Sequence, residues 1–467
     1  MKLQLLDAIG EITEARTAAG LWQQGQGCSL TGLSGAAKTV FLAALDRLLP
    51  EQGSLVFLLS GRDDIREYRR TLNCFYSDLL MQELYPVDLP LVQADSRNRE
   101  IQAGRVAAMR ILQGEERGIV FVTAEALLQK LPIPQKVLGS GVVVTLGQQL
   151  EQQELLERLI ELGYERTTQV DAIGQFCLRG DILDIFPINS QYPARIEWFD
   201  DTIDAMRSFD LDNQRSIESL SAVKIVPLQI ESGEDFSASV FDYLAASTRL
   251  VVDEPSRLFE LLQKLYTESS GYADELWSPA ELEGFCAQKR AWVVAALGHS
   301  RLQLFKDINV PVRSVAPYNR NLELLTGDLQ GWLADGQVPV VMMSSDIKAR
   351  GLADSLQSRN LNAAFVKEGA LLRPGRITVI SGELTAGFRF WNENWLLLTE
   401  NDIFGMQKKR RLHTKNSGAQ LQYFSEIKAG DYVVHSVHGI GRYIGVENVL
   451  VDGVHRDYLL LAYAGDD

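Results

Sequence analysis

Gly32-Leu33-Ser34-Gly35-Ala36-Ala37-Lys38-Thr39 is one residue away from G-x-x-x-x-G-K-[ST]. At that spacing, backbone N–H groups cradle a phosphate chain, the lysine reaches its outer phosphates and the hydroxyl holds Mg2+. The departure is Ala37, whose Cβ is expected to crowd the backbone that must wrap the β-phosphate. With Lys38 and Thr39 in place, the segment reads as a degenerate phosphate loop. Val251-Val252-Asp253-Glu254 has the form of a strand end whose carboxylates hold Mg2+ in such proteins. Asp253 and Glu254 read as a relic of that role, because hydrolysis also needs an arginine from a second motor lobe and the sequence shows no such lobe. His435-x-x-His438 has no cysteine nearby and reads as turn histidines rather than a metal pair. No Ser/His/Asp set has the spacing of a known hydrolase. The expectation is a chain with no catalytic residue, no metal site and no cofactor of its own, inactive as an ATPase.

A phosphate loop must leave a strand and open a helix. Thr39 to Leu49 puts Phe41, Leu42, Leu45, Leu48 and Leu49 on one side, and Ser54–Leu59 and Gly118–Val122 are buried-strand runs. Residues 27–131 therefore read as an α/β layer with a parallel sheet. A helix is predicted between Gln148 and Leu162, stopped by Gly163. Short strands follow, and the alternation in Arg195-Ile196-Glu197-Trp198 gives their sheet one wet face. Residues of about 140 to 210 thus form a small α+β module, with further α/β units over 223–310 and 338–405. Gln407–Gln420 is polar and basic, a linker whose Lys408-Lys409-Arg410-Arg411 run reads as a solvated hinge. From Gly430 the segments Asp431–Val434, Gly441–Gly445, Val446–Val451 and Val454–Tyr463 read as short strands, the last two joined at Asp452-Gly453. They start a small barrel whose closing strand is missing, so the sequence is expected to be a fragment.

Length and charge bound the rest. The 467 residues suggest roughly three domains. Lys plus Arg is 46 and Asp plus Glu is 61, so the balance is 46 − 61 = −15 and any nucleic-acid contact must be local. The N-terminus has no secretory h-region, and no apolar run is long enough to span a membrane. The four cysteines lie far apart, which fits a reducing compartment, read as the cytoplasm.

Tyr164-Glu165-Arg166, then Phe176-Cys177-Leu178-Arg179-Gly180-Asp181-Ile182-Leu183-Asp184-Ile185-Phe186-Pro187, then Arg195–Asp201, then Phe209-Asp210 and Gln214-Arg215-Ser216 closely resemble UvrB, the excision-repair protein. Gly430–His435, His438–Tyr443 and Asp457–Leu461 look like the RNA-polymerase-interacting domain shared with CarD-type proteins. A UvrB-like module, an α/β domain and this domain, in that order, resemble the transcription-repair coupling family.

The resemblance implies an α/β multidomain fold of RecA-type layers with an inserted α+β domain, a further α/β domain and an incomplete SH3/Tudor-like barrel. Its expected division is domain 1a at 1–140, a UvrA-binding domain at 141–210, domain 1b at 211–310, an α/β domain at 311–405, a linker at 406–425 and the polymerase-interacting domain at 426–467. UvrA contact falls to Arg166 and Arg179, with Cys177 where UvrB has a third arginine. Contact with the RNA polymerase β subunit falls to Ile444, Val446 and Val449, although Ile444 is expected to fill the barrel core first. DNA, ATP and Mg2+ would be met through a translocase motor that this sequence lacks. The other readings are a UvrB-type ATPase or helicase of excision repair and a free-standing CarD-like regulator.

Overall fold

The computed structural model describes residues 2–50, 53–76, 79–86, 99–135, 141–190, 192–211, 213–228, 236–296, 306–367, 372–405, 430–435, 439–451 and 454–462. The chain divides into two compact units, 1–407 and 408–467.

The centre of the first unit is a seven-stranded, wholly parallel sheet. Its spatial order is Lys306–Asn309, Cys28–Thr31, Ala291–Ala295, Arg249–Asp253, Leu55–Leu59, Gly118–Thr123 and Leu80–Leu84. Strands covered on both faces must be apolar at every position, which is why LVFLL and GIVFVT read as unbroken runs. Side-chain alternation divides them between two cores. Val56 and Leu58 face one core, and Leu55, Phe57 and Leu59 face the other with Phe41 and Leu45 of the helix Gly35–Leu48. Each such large side chain, fully buried, contributes about 1.5–3 kcal/mol.

A six-stranded sheet forms the inserted module, in the order Ser216–Ser219, Thr202–Phe209, Ala194–Phe199, Ile182–Ile185, Gln175–Arg179, Glu165–Arg166. It is antiparallel except for the last pair. The helix before it spans Gln152–Glu161, and Gly163 takes φ +87° just past its end. The sheet does not stop at 210: Ser216–Ser219 extends it, and Ala222–Ile225 pairs with Val142–Thr145 at the module's start. Phe176, Leu183, Ile185, Ile196 and Trp198 share the first core with the parallel sheet.

A third sheet runs Val312–Ser314, Phe388–Phe390, Trp395–Thr399, Val338–Met343, Ile377–Ser381, Ala363–Phe365. Its last four strands are parallel and its first two antiparallel. Val338, Val340, Met342, Trp395 and Leu397 join the second core, while Val341, Met343 and Leu398 face a core of their own. The expected boundaries near 140 and 310 fall between sheets and the one near 210 falls inside a sheet, while apolar cores run across all three.

The second unit is a three-stranded antiparallel sheet of Tyr432–His435, Gly439–Val451 and Val454–Ala462. The two segments expected at 441–445 and 446–451 are one strand. It reads as two because the register shifts between Tyr443 and Gly445, which leaves Ile444 as a bulge. The basic run at 408–411, the turn at 452–453 and His438 lie outside the described residues.

Candidate functional site

The C-terminal ends of parallel strands are where α/β proteins bind ligands, and the degenerate loop and Asp253 both sit there. Thr31 ends its strand, Gly32, Leu33 and Ser34 turn, and the helix begins at Gly35. Gly32 takes φ +80°, and a Cβ on it would lie 2.9 Å from the carbonyl of Val310. Three turn residues leave no room for the wide anion cradle, since Gly35, Ala37, Lys38 and Thr39 are already helical. Ala37 lies on the helix, fully buried in the second core. What closes the site is the short turn together with the lysine's partner.

Lys38 Nζ donates to both carboxylate oxygens of Asp253, at 2.8 and 3.0 Å. Asp253 is almost fully buried and also accepts from the Tyr68 hydroxyl at 3.0 Å. The ammonium lies 4.9 Å from the centre of the Tyr68 ring. Burial, and then the charge of Asp253, push the Tyr68 phenol well above its ordinary range. Thr39 Oγ1 is buried with no hydrogen-bond partner among the described residues. Glu254 stands at φ 44° and accepts from the Ala296 N–H at 2.8 Å. The lysine, both carboxylates and the hydroxyl are thus committed within the protein or turned into its core, and the residues present do not fit a bound nucleotide with Mg2+.

The third sheet repeats the device, which the sequence reading missed. Ser344 and Ser345 follow the strand Val338–Met343, and Ser345 caps the helix Asp346–Gln357 through its hydroxyl. Lys348 Nζ donates to Glu400 at 2.6 Å, and the Ser344 N–H donates to the other oxygen of that carboxylate at 2.9 Å. The short string SSDIK carries no glycine-rich signal, so only the pairing of neighbouring strands brings Lys348 to Glu400. Among the described residues no group of three or more His, Cys, Asp or Glu could hold a metal ion.

On the inserted module, Arg166 and Arg179 are both exposed. Arg166 is the register partner of Phe176, whose ring is in the core, and stays exposed on an edge strand two residues long. Arg179 is paired with Ile182 and donates to the Thr168 carbonyl at 2.7 Å. The structure gives no contact between the two arginines. Neither is ion-paired to an acid among the described residues, because the nearby acids are already engaged. Asp184 takes a bidentate pair from Arg195 at 2.6 and 2.9 Å, and Asp181 accepts from Gln152. Cys177 is buried, its thiol donating to the same Thr168 carbonyl. Phe199, 78% exposed at the tip of the neighbouring hairpin, was not singled out by the sequence.

In the second unit Ile444 is 51% exposed, so the expectation that it fills a core is corrected: the bulge turns it out of the ladder. Val446 and Val449 lie on the same strand, opposite Leu459 and Arg456. Their side chains are outside the described residues.

A family model described as the UvrB interaction domain matches residues 142–230, and one described as the CarD-like/TRCF RID domain matches residues 427–467. The chain is similar to transcription-repair-coupling factors over nearly its whole length. That of Bacillus subtilis (strain 168) is 27% identical, the match covering 94% of this chain and 43% of that protein. That of Staphylococcus haemolyticus (strain JCSC1435) is 24% identical, over 95% of this chain and 44% of that protein. The chain therefore spans less than half the length of these relatives. The first match begins and ends with the strands Val142–Thr145 and Ala222–Ile225 inside it, in keeping with a module that continues past 210. A crystal structure of the DUF1998 helicase MrfA bound to DNA covers 80% of this chain and 44% of its own at 7% identity and a TM-score of 0.25, too low a likeness to carry an argument. Among the described residues no helix is long and apolar enough to cross a membrane.

Proposed function

We propose that this chain serves transcription-coupled DNA repair by holding a UvrA-docking surface and an RNA-polymerase-docking surface in one molecule. The observation that carries the reading is the presence of both matched modules in one chain, along an alignment with transcription-repair-coupling factors that covers 94% of it. In this reading 1–140 and 211–310 supply RecA-type layers around a UvrA-binding domain at 141–210, to which the strands Ser216–Ser219 and Ala222–Ile225 are added. An α/β domain at 311–405 and a linker at 406–425 lead to a small SH3/Tudor-like barrel from 426. Polymerase stalled at a lesion is displaced by ATP-driven translocation of a motor outside this chain, which also makes the DNA contact, and UvrA is then recruited in the cytoplasm.

The chain itself turns over no ATP and uses no cofactor. Supporting this, the lysine that would meet phosphate is neutralised by Asp253. The alternative, a UvrB-type ATPase, requires that lysine to be free, and steady ATP turnover abolished by Lys38→Ala would establish it.

UvrA docks through Arg166 and Arg179, two exposed guanidinia with no acidic partner among the described residues. The test is co-elution of UvrA with the chain carrying Arg166→Glu and Arg179→Glu. Complex formation should be lost while the circular dichroism spectrum is kept, and retained binding overturns the assignment.

A further inference from the structure

We propose that the outward face of the strand pair Val312–Ser314 and Phe388–Phe390 contacts the backbone of a nucleic acid. The register of this antiparallel pair sets Arg313 directly opposite Arg389. Val312 and Phe390, also opposite each other, pack on the second core, so alternation turns the two arginines outward. Like charges facing each other across a strand pair destabilise it. Among the described residues no carboxylate is ion-paired to either, although the chain has 61 acids to 46 bases. Trp391, one residue past the strand and on the same side as Arg389, is 54% exposed. The Arg313 guanidinium carbon lies 3.8 Å from the centre of its ring.

Two guanidinia and a half-exposed indole are the parts of a backbone-and-base contact. The forked N–H groups match phosphate oxygens, and the indole offers a stacking face that tolerates any base. A phosphate between Arg313 and Arg389 would relieve the repulsion that the fold leaves in place. An acidic peptide would satisfy the arginines but make no use of the exposed part of the indole. Trp391 also lines a shallow cleft with Glu14 and Glu393, and these two acids bound the footprint on that side. The contact uses none of the residues assigned above to UvrA or to the polymerase.

Fluorescence anisotropy of a labelled oligothymidylate at about 50 mM salt, titrated with the whole chain, tests this. Binding should weaken about tenfold or more in Arg313→Glu/Arg389→Glu, with a shallower salt dependence. Trp391→Ala should weaken it about tenfold. Arg313→Gln/Arg389→Gln removes charge without reversing it, and should also weaken binding if reversal disturbs the strand pair. Absence of binding by the unaltered chain, or equal affinity of the arginine variants, overturns the proposal. Equal competition by polyglutamate assigns the face to an acidic protein and overturns it too.

Discussion

Lys38 and Asp253 are joined across an intervening strand: the helix carrying the lysine follows Cys28–Thr31, the aspartate ends Arg249–Asp253, and Ala291–Ala295 lies between. The pair is nearly buried, with side-chain exposures of 14% and 4%. Removing one partner of a buried pair leaves the other charge uncompensated, at a cost of about 3–5 kcal/mol. Asp253→Ala should therefore lower the stability from urea unfolding by about 3 kcal/mol, the lower end, because Lys38 keeps some exposure. Lys38→Met should cost less, since Asp253 keeps the Tyr68 hydroxyl. The double variant should be more stable than the sum of the singles implies.

At the opposite, N-terminal ends of the strands of the same sheet, Asp46 gathers Arg249, Arg117 and the Tyr76 hydroxyl. Burial, and then the nearby Arg290, lower the Arg249 guanidinium to about 10. Such a cation is tolerated only beside its counter-ion. Asp46→Ala should cost about 3–5 kcal/mol and Asp46→Asn nearly as much, because charge rather than shape is lost. Thermal unfolding of the two variants checks this, and a mild effect of Asn would show that hydrogen bonding alone suffices.

Much of the parallel sheet was legible because strands buried on both faces write continuous apolar runs, as Leu55–Leu59 and Gly118–Thr123 do. The Lys38 and Asp253 strings were legible as types, but their pairing was not, because it spans a sequence separation of 215 positions. Lys348 and Glu400 left no string at all. Ile444 was misjudged because period-2 alternation assumes an unbroken ladder, and one inserted residue changes which side faces inward. The helix start at Gly35 was missed because a motif read as a loop hides helical residues.

The Lys348–Glu400 pair gives a pH dependence with a definite sign. Burial raises the Glu400 carboxyl, but hydrogen bonds from Lys348 and Ser344 outweigh it, so the net shift is downward from 4.5. A depressed folded-state value contributes stability that is complete above the ordinary carboxylate range and is lost as the pH falls through the folded value. Glu400→Gln should lower stability at pH 7, and the gap to the unaltered protein should narrow below about pH 4.5. A gap independent of pH would mean that the carboxylate acts only as a cap acceptor for the Ser344 N–H.

Ile444 is the residue through which the proposed polymerase surface is best tested. Tyr443 pairs with Leu461 and Gly445 with Leu460, so Ile444 is the extra residue of the bulge, while its neighbour Tyr443 is buried. An apolar side chain half exposed at a bulge contributes little to the fold, and replacing it should change stability by no more than about 0.5 kcal/mol. At an interface the same side chain can act as an anchor whose loss costs more than about 1 kcal/mol. Ile444→Asp should therefore leave the unfolding midpoint in place and weaken binding to the RNA polymerase β subunit about tenfold. Val449→Arg, five positions along the strand and opposite Arg456, tests how far the surface extends. If Ile444→Asp binds as tightly as the unaltered chain while Val449→Arg does not, the contact lies toward the far end of the strand and the bulge serves only to bend it.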